Sequence, residues 1–460
     1  MENKNLDKQI FNFLSTPLKS DDHFTSAKLA ILDTLGCIIE ASTHDEVINF
    51  AIQDKSIKLF SNPFLNVKKL NSYQDVAWYL TVLTRWFDYN DTFLAKEWAH
   101  PSDNFGSVYS YFYKNPNFKF IDLTTALTKA YEIQGSLCLG TSLNKLGYDH
   151  VFYVKLASGA VFSSLLNKGD EKIVQRTINH ILLDGPSLRS YRHFPNVGKR
   201  KSWAAADASK RGIELAEISQ FNDEVYSFIQ KDKIWGFEST YLNESEIKFG
   251  KDLNDWVIQN VLFKVLFPAE FHGQSAVEGA IKLSKEFNHN IDKVKKINIF
   301  THEPAIRIIA NKENLSNASD RDHSLEYMVS AALLFGELKY DMYGDDFSGL
   351  NKIESLRKKI VVSEDSNFTK NYYEFSKRHI SNSIEIVYDD NSTSEKITIE
   401  NPIGHPSRRE EAIPLLKEKF IRNVQNVLSL EKSMSFWEQV INLEKDDELT
   451  KFFNILQDDE

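Results

Sequence analysis

Residues 85–106 read RWFDYNDTFLAKEWAHPSDNFG, a run in which Asp88, Asp91, Glu97, His100 and Asp103 alternate with large aromatic side chains and stop against Pro101. A solvated helix face does not usually carry so many aromatics beside its charges. A polar pocket with apolar walls accounts for the mixture, because reduced solvation tunes an imidazole or a carboxylate for proton transfer. Asp91 and His100 are therefore candidates for catalytic or substrate-binding work, with structural hydrogen bonding as the competing account.

Other stretches place reactive groups in similar settings. His150 interrupts the apolar run of NKLGYDHVFYVKLASGA, where a satisfied buried histidine is the alternative reading. VGKRKSW sets Lys199, Arg200 and Lys201 in a row just before a helical pattern, with Ser202 as its expected N-cap. An exposed charge run is one account of the triplet; the other puts a cation into a cleft to hold a carboxylate, with Lys201 closest to that helix start, where a cation and a helix N-terminus together favour an anion. In FKVLFPAEFHGQSAVEGA, Lys264, Glu270 and His272 flank an apolar segment constrained by Pro268 and Gly273, as at a domain crossing. ASDRDHSLEYM supplies Arg321 as a carboxylate ligand; if a helix starts there, His323 and Tyr327 share one face four residues apart, while Asp322 or Ser324 could instead act as an N-cap. NPIGHPSRREE adds His405, Arg408 and Arg409, useful to an anionic site only if the chain folds this region inward.

Several chemistries lack support. HExxH, a close cysteine set, an EF-hand loop, GxGxxG, GxxxxGK[ST] and GxSxG are all absent, although twelve histidines could still assemble a metal site at a distance. Cys37 and Cys138 are the only cysteines, too few for a thiolate-held iron-sulfur cluster or a disulfide scaffold, and both sit in apolar contexts that read as buried structural thiols. The 55 Lys and Arg against 65 Asp and Glu leave a formal charge of -10, which argues against a nucleic-acid partner. The opening segment lacks the h-region of a leader, and no apolar run is long enough for about 30 Å of hydrocarbon. A soluble cytoplasmic protein without a membrane partner is expected.

These groups need a scaffold, and 460 residues suggest two or three domains at about 150 each. Apolar residues recur at three- and four-residue intervals in SAKLAILDTLGCIIEAS, WYLTVLTRWFDY and LTTALTKAYEIQGSL, and a second helical stretch begins near Trp203 after a loop containing Pro195 and Gly198. The period changes near residue 294. VKKINIFTH, SIEIVY and SEKITIE alternate as strands, with HGQSAVEGAIKLSKEF and HSLEYMVSAALLFGEL as helices, and DDNSTSE as a turn between the late strands. Helix returns in IPLLKEKFIRNVQNVL and SFWEQVINL. The expected fold is mainly α with an inserted α+β domain: residues 1–267 and 401–460 in a discontinuous helical domain, and 268–400 in the smaller one.

Together, RWFDYNDTFLAKEWAHPSDNFG, YDHVFYVKLAS, RHFPNVGKRKSWAAADASKRG, LFPAEFHGQSAVEGA, DRDHSLEYMVSAALLFG and NPIGHPSRREEAIPLL closely resemble the MmgE/PrpD family across essentially the whole chain. The resemblance implies a two-domain architecture with a cleft between the domains, a homodimer, a small tricarboxylate substrate and no cofactor. It implies elimination of water from 2-methylcitrate without an iron-sulfur cluster, with some activity on citrate; cis-aconitate decarboxylation and non-catalytic polycarboxylate binding are the alternatives. The pocket-lining positions of the family fall on Asp91, His100, His150, Lys201 and Lys264, and an HSxxY stretch on His323 and Tyr327. Ala99 stands where glycine is usual, a difference that leaves the charged positions intact. The expected catalytic set is Asp91, His100, His150 and Tyr327. The expected substrate-binding set is Lys201, Lys264, His272, Arg321 and His323, with no metal ligands. Dehydration needs a base for a weakly acidic proton beside a carboxylate, an acid for the departing hydroxyl and cations for the charge that builds. The reading therefore requires His100, His150, Lys201 and Lys264 to share one cleft.

Overall fold

The computed structural model describes residues 5–457 apart from 55, 193–196, 222–225, 227, 288–290 and 311–313. Its first part is helical where the three- and four-residue apolar spacing demands it. The helix His23–Ser42 is apolar on nearly every face and runs buried through the centre. Tyr73–Arg85, Phe105–Lys114, Phe120–Gly140, Val151–Leu166 and Arg200–Ile218 pack around it and one another. The apolar core of this part contains residues from Leu6 to Val265, and then Ile403, Leu416, Phe420 and others up to Leu456 from the far end of the chain. The returning helix Arg409–Val424 lies against His23–Ser42 where Gly36 leaves room: a Cβ there would stand 3.2 Å from the Phe420 ring.

A second apolar core contains residues from Phe267 to Ile386. A short hairpin, β1 (Phe93–Leu94) and β2 (Trp98–Ala99), belongs to the first part. The sheet of the second part is four-stranded in the order β4-β3-β5-β6, from β3 (Val294–Thr301), β4 (Ile360–Glu364), β5 (Asn382–Tyr388) and β6 (Ile397–Ile399). β3 runs parallel to β4 and antiparallel to β5. Ile297 faces Ile386 across the ladder and Ile299 faces Ile384, so the two-residue period turns all four isoleucines into the core. Strand β4 escaped the sequence reading because it is an edge strand in which only Ile360 is buried, so it lacks an alternating signature. The molecule is thus mainly α with an inserted α+β domain. Among the described residues no helix is long and apolar enough to cross a membrane.

Two local expectations need correction. The helix holding Lys201 begins at Arg200, and Ser202 lies in its first turn, where its hydroxyl donates to the Trp86 carbonyl at 3.2 Å rather than capping. Pro195, expected in the loop before it, lies outside the described residues. The later helix is Leu325–Phe335, capped by Ser324, whose Oγ accepts from Tyr327 N at 3.3 Å. His323 therefore precedes the helix and does not share a helical face with Tyr327. A serine hydroxyl with a free backbone N–H three residues ahead is the better cap, and that pairing decides the start.

Val151–Leu166 and Arg200–Ile218 approach closely at Gly159 and Gly212, where a Cβ on Gly159 would lie 2.9 Å from the Gly212 carbonyl oxygen. Val151 and Val154 also pack with Ala204, Ala205 and Ala208. The two first turns are therefore neighbours, and two helix N-termini open toward one region. Beyond them, Phe263 N donates to the Gly404 carbonyl at 3.1 Å, tying the segment before Lys264 to the returning chain.

A Cβ at Gly404 would fall 1.6 Å from the Phe263 carbonyl oxygen, whereas at Gly198 it would meet nothing within 4 Å. Gly404→Ala is expected to cost about 2–4 kcal/mol because the backbone beside Lys264 must shift. Gly198→Ala should be close to neutral. Thermal melts of the two variants check this, and equal melting temperatures would contradict the packing described.

Candidate functional site

The aromatic-acidic stretch opens where the helix Tyr73–Arg85 ends. Asp88 has a φ of +50°, a left-handed conformation that aspartate tolerates better than most residues, and this turns its side chain back toward the helix. Its carboxylate meets Arg85 Nη1 at 2.5 Å, Lys264 Nζ at 3.1 Å and His100 Nε2 at 3.7 Å. Lys264 also donates to the Asp88 carbonyl. Burial would raise the Asp88 carboxyl, but Lys264, Arg85 and His100 outweigh it and hold the group well below the usual carboxylate range. Burial pulls the Lys264 ammonium down, with Asp88 opposing.

His100 follows β2, and its Nδ1 lies 2.8 Å from the Asp91 carbonyl oxygen. A carbonyl only accepts, so Nδ1 carries the proton and Nε2 keeps a lone pair on the side of Asp88 and Lys264. Burial, then the Arg85 charge, push the imidazole well below its ordinary value despite Asp88. The Asp91 carboxylate faces elsewhere: Oδ1 accepts from Ser102 N at 3.0 Å and Ser102 Oγ at 2.6 Å. Burial raises it to about 6 against those two bonds. Asp91 thus holds His100 through its carbonyl and fixes the turn after His100 through its side chain. Asp103 is fully buried at 3.5 Å from Arg85 Nε, and burial pushes it up to about 7.

His150 stands at the N-terminus of Val151–Leu166, its ring centroid 6.0 Å from that of His100. Its Nδ1 is 3.2 Å from Asp149 Oδ1, and the other Asp149 oxygen accepts from Arg192 Nε at 2.6 Å. Arg189 lies on the same carboxylate at 3.9 Å and over the Trp98 ring. Burial lowers His150 well below its ordinary value; Asp149 opposes this, while Arg192, Arg189 and Arg85 add to it. The Asp149 carboxyl is held low because Arg192, His150 and Arg189 overcome its burial.

The second domain closes the arrangement. Lys201 donates to both oxygens of Asp322, 2.6 Å to Oδ2, and stands 3.2 Å from His323 Nδ1. His323 Nδ1 is itself 2.5 Å from Asp322 Oδ1. This latch crosses from one core to the other, as does the Phe87 ring against Tyr340 at 4.2 Å. His323 and Lys264 both act electrostatically on the half-buried Glu270, and His323 also on Asp88, so the two halves form one charged neighbourhood. His100, His150, Lys201, Lys264 and His323 are brought together.

Three expected site residues spend their polar atoms differently. Arg321 donates to the Tyr343 carbonyl at 2.5 Å and to Asp345 at 2.7 Å. Tyr327 donates to the Met342 carbonyl at 2.6 Å, bracing the same segment. His272 has Glu270 at 2.8 Å on Nδ1 and the Tyr372 hydroxyl at 3.1 Å on Nε2, leaving no ring nitrogen free. Glu97 accepts from Leu143 N and Asn144 N, both at 2.7 Å, and braces a loop. Of the basic triplet, Lys199 pairs with Glu46 at the surface and only Lys201 turns inward. Sequence reasoning passed over Arg85, Arg189 and Arg192. Arg85 ends an amphipathic helix and reads as a C-terminal cation; its burial beside two aspartates was the missing signal.

Among the described residues no group of three or more His, Cys, Asp or Glu side chains is arranged to hold a metal. Cys37 and Cys138 are free and buried, and burial pushes the Cys37 thiol up to about 12. A separate groove of about 570 Å³, lined by Trp78, Trp203, Lys210 and Arg211 among others, contains none of the site side chains.

Comparison with known proteins gives two family models that divide the chain near residue 267, the second of which also takes in the returning helix Arg409–Val424. The MmgE/PrpD N-terminal domain model matches residues 14–250 and the MmgE/PrpD C-terminal domain model residues 267–445. The 2-methylcitrate dehydratase of Escherichia coli (strain K12) is 37% identical over 420 residues, covering 87% of this chain and 86% of that protein. The mitochondrial 2-methylcitrate dehydratase of Yarrowia lipolytica is 38% identical over 420 residues, 87% of this chain and 80% of that protein. A probable 2-methylcitrate dehydratase of Saccharomyces cerevisiae is 37% identical over 431 residues, 89% and 83% respectively. With both domain models matched and the relatives aligned over most of their length, this chain belongs to the MmgE/PrpD family.

Proposed function

We infer that this protein is a hydro-lyase that removes water from 2-methylcitrate to give 2-methyl-cis-aconitate, without an iron-sulfur cluster. The observation that carries the reading is the hydrogen bond from His100 Nδ1 to the Asp91 carbonyl, which leaves Nε2 as a lone pair beside two buried cations. The family relationship supplies the substrate class. With two buried cysteines, the chain has too few thiolates to ligate a cluster.

In this reading Nε2 of His100 takes the proton from the carbon that bears the methyl and a carboxylate. The released electron pair forms the double bond as the neighbouring carbon loses its hydroxyl, which leaves as water with the proton that His100 has just taken, beside the His150 ring. Lys264 and Lys201 hold substrate carboxylates, with His323 beside Lys201. The helix N-termini under His150 and Lys201 add partial positive charge where the trianion settles. Asp91 is assigned a positioning role through its carbonyl, and Tyr327, Arg321 and His272 are assigned to bracing the walls. One methyl group discriminates by only about 1–3 kcal/mol, so citrate should also turn over.

The domain limits we propose are 1–267 with 401–460, and 268–400. The separation of the two apolar cores between Val265 and Phe267, and the membership of Ile403 in the first, support them. A cytoplasmic homodimer is proposed on the family resemblance, and size-exclusion chromatography with light scattering tests the dimer.

Product identification is the deciding experiment. Protein incubated with 2-methylcitrate should lose only water and gain conjugated absorbance; release of CO2 from cis-aconitate would point to decarboxylation, and binding without turnover to a non-catalytic protein. His100→Ala is expected to lower kcat by about 10²- to 10⁴-fold. Lys264→Met should weaken kcat/KM by about 10- to 100-fold, the worth of a charge-assisted hydrogen bond. Steady-state kinetics check both, and a His100→Ala enzyme with unchanged kcat would remove the proposed base.

The acidic limb of kcat/KM should lie well below pH 6.5, because protonation of the free enzyme's His100 is disfavoured. Asp88 is the anion that opposes this depression, so Asp88→Asn removes a stabiliser of the imidazolium and should move the limb to still lower pH. A shift to higher pH in that variant would contradict the electrostatic assignment.

A further inference from the structure

A buried lysine behind the site takes no part in the mechanism above. Lys419 lies on the returning helix Arg409–Val424, and its ammonium is almost completely buried. It donates to Asp33 Oδ1 at 2.6 Å and to the Tyr89 carbonyl at 2.7 Å, and stands 3.9 Å over the Tyr89 ring. Asp33 belongs to the central helix His23–Ser42. The hydroxyl of Tyr89 donates to the Val265 carbonyl at 3.0 Å and accepts from Arg422 Nη2 at 3.0 Å.

Tyr89 therefore links two functional neighbours. Asp88, immediately before it, carries the carboxylate shared by Arg85, Lys264 and His100, and Val265 is adjacent to Lys264. Two successive backbone carbonyls are held by two lysines, Asp88 O by Lys264 and Tyr89 O by Lys419. The left-handed φ of Asp88 makes this turn dependent on its fastenings, since a non-glycine residue in that region costs about 1 kcal/mol or more and persists only where the surroundings enforce it. A buried ion pair is an inefficient source of stability compared with apolar residues of the same volume. What Lys419 and Asp33 supply is direction, an N–H aimed at one carbonyl oxygen from a helix near the far end of the chain.

We propose that Lys419, acting through Tyr89, is a positioning residue that holds the Asp88 turn in register with Lys264 and so sets the geometry of His100 and Lys264 toward the substrate. The proposal rests on the dehydratase reading above. It gives the returning segment a catalytic consequence: its helix fastens the Tyr89 carbonyl through Lys419, while Arg409 Nη2 fastens the Val261 carbonyl at 2.6 Å on the other side of Lys264.

The test uses full-length protein and 2-methylcitrate. Asp33→Asn with Lys419→Met removes the strut without leaving a buried charge unpaired. This double variant should fold, by circular dichroism, and lose about a hundredfold in kcat with little change in KM, because misplacement by about an ångström affects the reacting geometry more than uniform binding. Tyr89→Phe, which removes only the hydroxyl to Val265 and Arg422, should lower kcat at unchanged KM and provides the answer if the double variant does not fold. Lys417→Met, at an exposed ion pair two residues away, should match wild type. A folded double variant with wild-type kcat overturns the proposal, as does a loss confined to KM, or wild-type kcat in Tyr89→Phe. Wild type that fails to dehydrate 2-methylcitrate sinks the functional reading and this inference with it, whereas an active wild type beside an equally active double variant sinks the strut alone.

Discussion

The half-buried carboxylate of Asp88 is the point on which the site depends. It is the common acceptor for Arg85 and Lys264 and the closest anion to His100 Nε2. Removing a cation from water costs several kcal/mol, and this carboxylate offsets that cost for both Arg85 and Lys264. The pairing is lopsided: Asp88 answers Arg85 and Lys264 together, while Asp103, the other aspartate beside Arg85, is pushed up to about 7 by burial. The remainder is positive charge held in a desolvated place, which is what a small polyanion needs and water cannot supply.

The fold provides this charge from several directions. Two helices that touch at Gly159 and Gly212 bring their N-termini side by side, one beginning after His150 and the other carrying Lys201 in its first turn. The second domain answers with Asp322 and His323, so the ionic latch from Lys201 to Asp322 spans the two cores. Lys201 has three N–H donors and Asp322 is its principal anion here. An arriving carboxylate can compete for the ammonium or share it, and either event changes the tie between domains. On the proposed reading, substrate binding and the tie between the two cores draw on the same lysine.

Much of this was legible from residue order. The helical period, the alternation at Ile297, Ile299, Ile384 and Ile386, and the aromatic-acidic stretch all reported local constraints, and local constraints survive folding. What was not legible concerns partners distant in sequence. Arg85 reads as an ordinary helix-terminal cation until the fold buries it against Asp88 and Asp103. Tyr327 and Arg321 have the chemistry of site residues, yet the 340–345 segment takes their hydrogen bonds. His272 likewise carries a usable imidazole but is saturated by Glu270 and Tyr372. The Ser202 expectation failed for a related reason: a hydroxyl near a helix start can cap it or bond elsewhere, and only the position of the Trp86 carbonyl decides.

The depressed basicity of His100 looks at first unsuited to a base. Burial and the Arg85 charge lower it, with the Lys264 charge adding, and they guarantee that the free enzyme carries a lone pair on Nε2 at neutral pH. The same cations are the ones a tricarboxylate would neutralise. As the trianion settles against Lys264 and the neighbouring positive ends, the field that disfavours the imidazolium weakens, and His100 becomes a stronger proton acceptor only when a substrate is present. On the proposed reading, the base is unprotonated in the empty site and gains driving force in the loaded one. A cation-lined pocket and a weakly basic histidine are therefore two expressions of one electrostatic arrangement, and in the proposed mechanism the anion that the cations attract also strengthens the base.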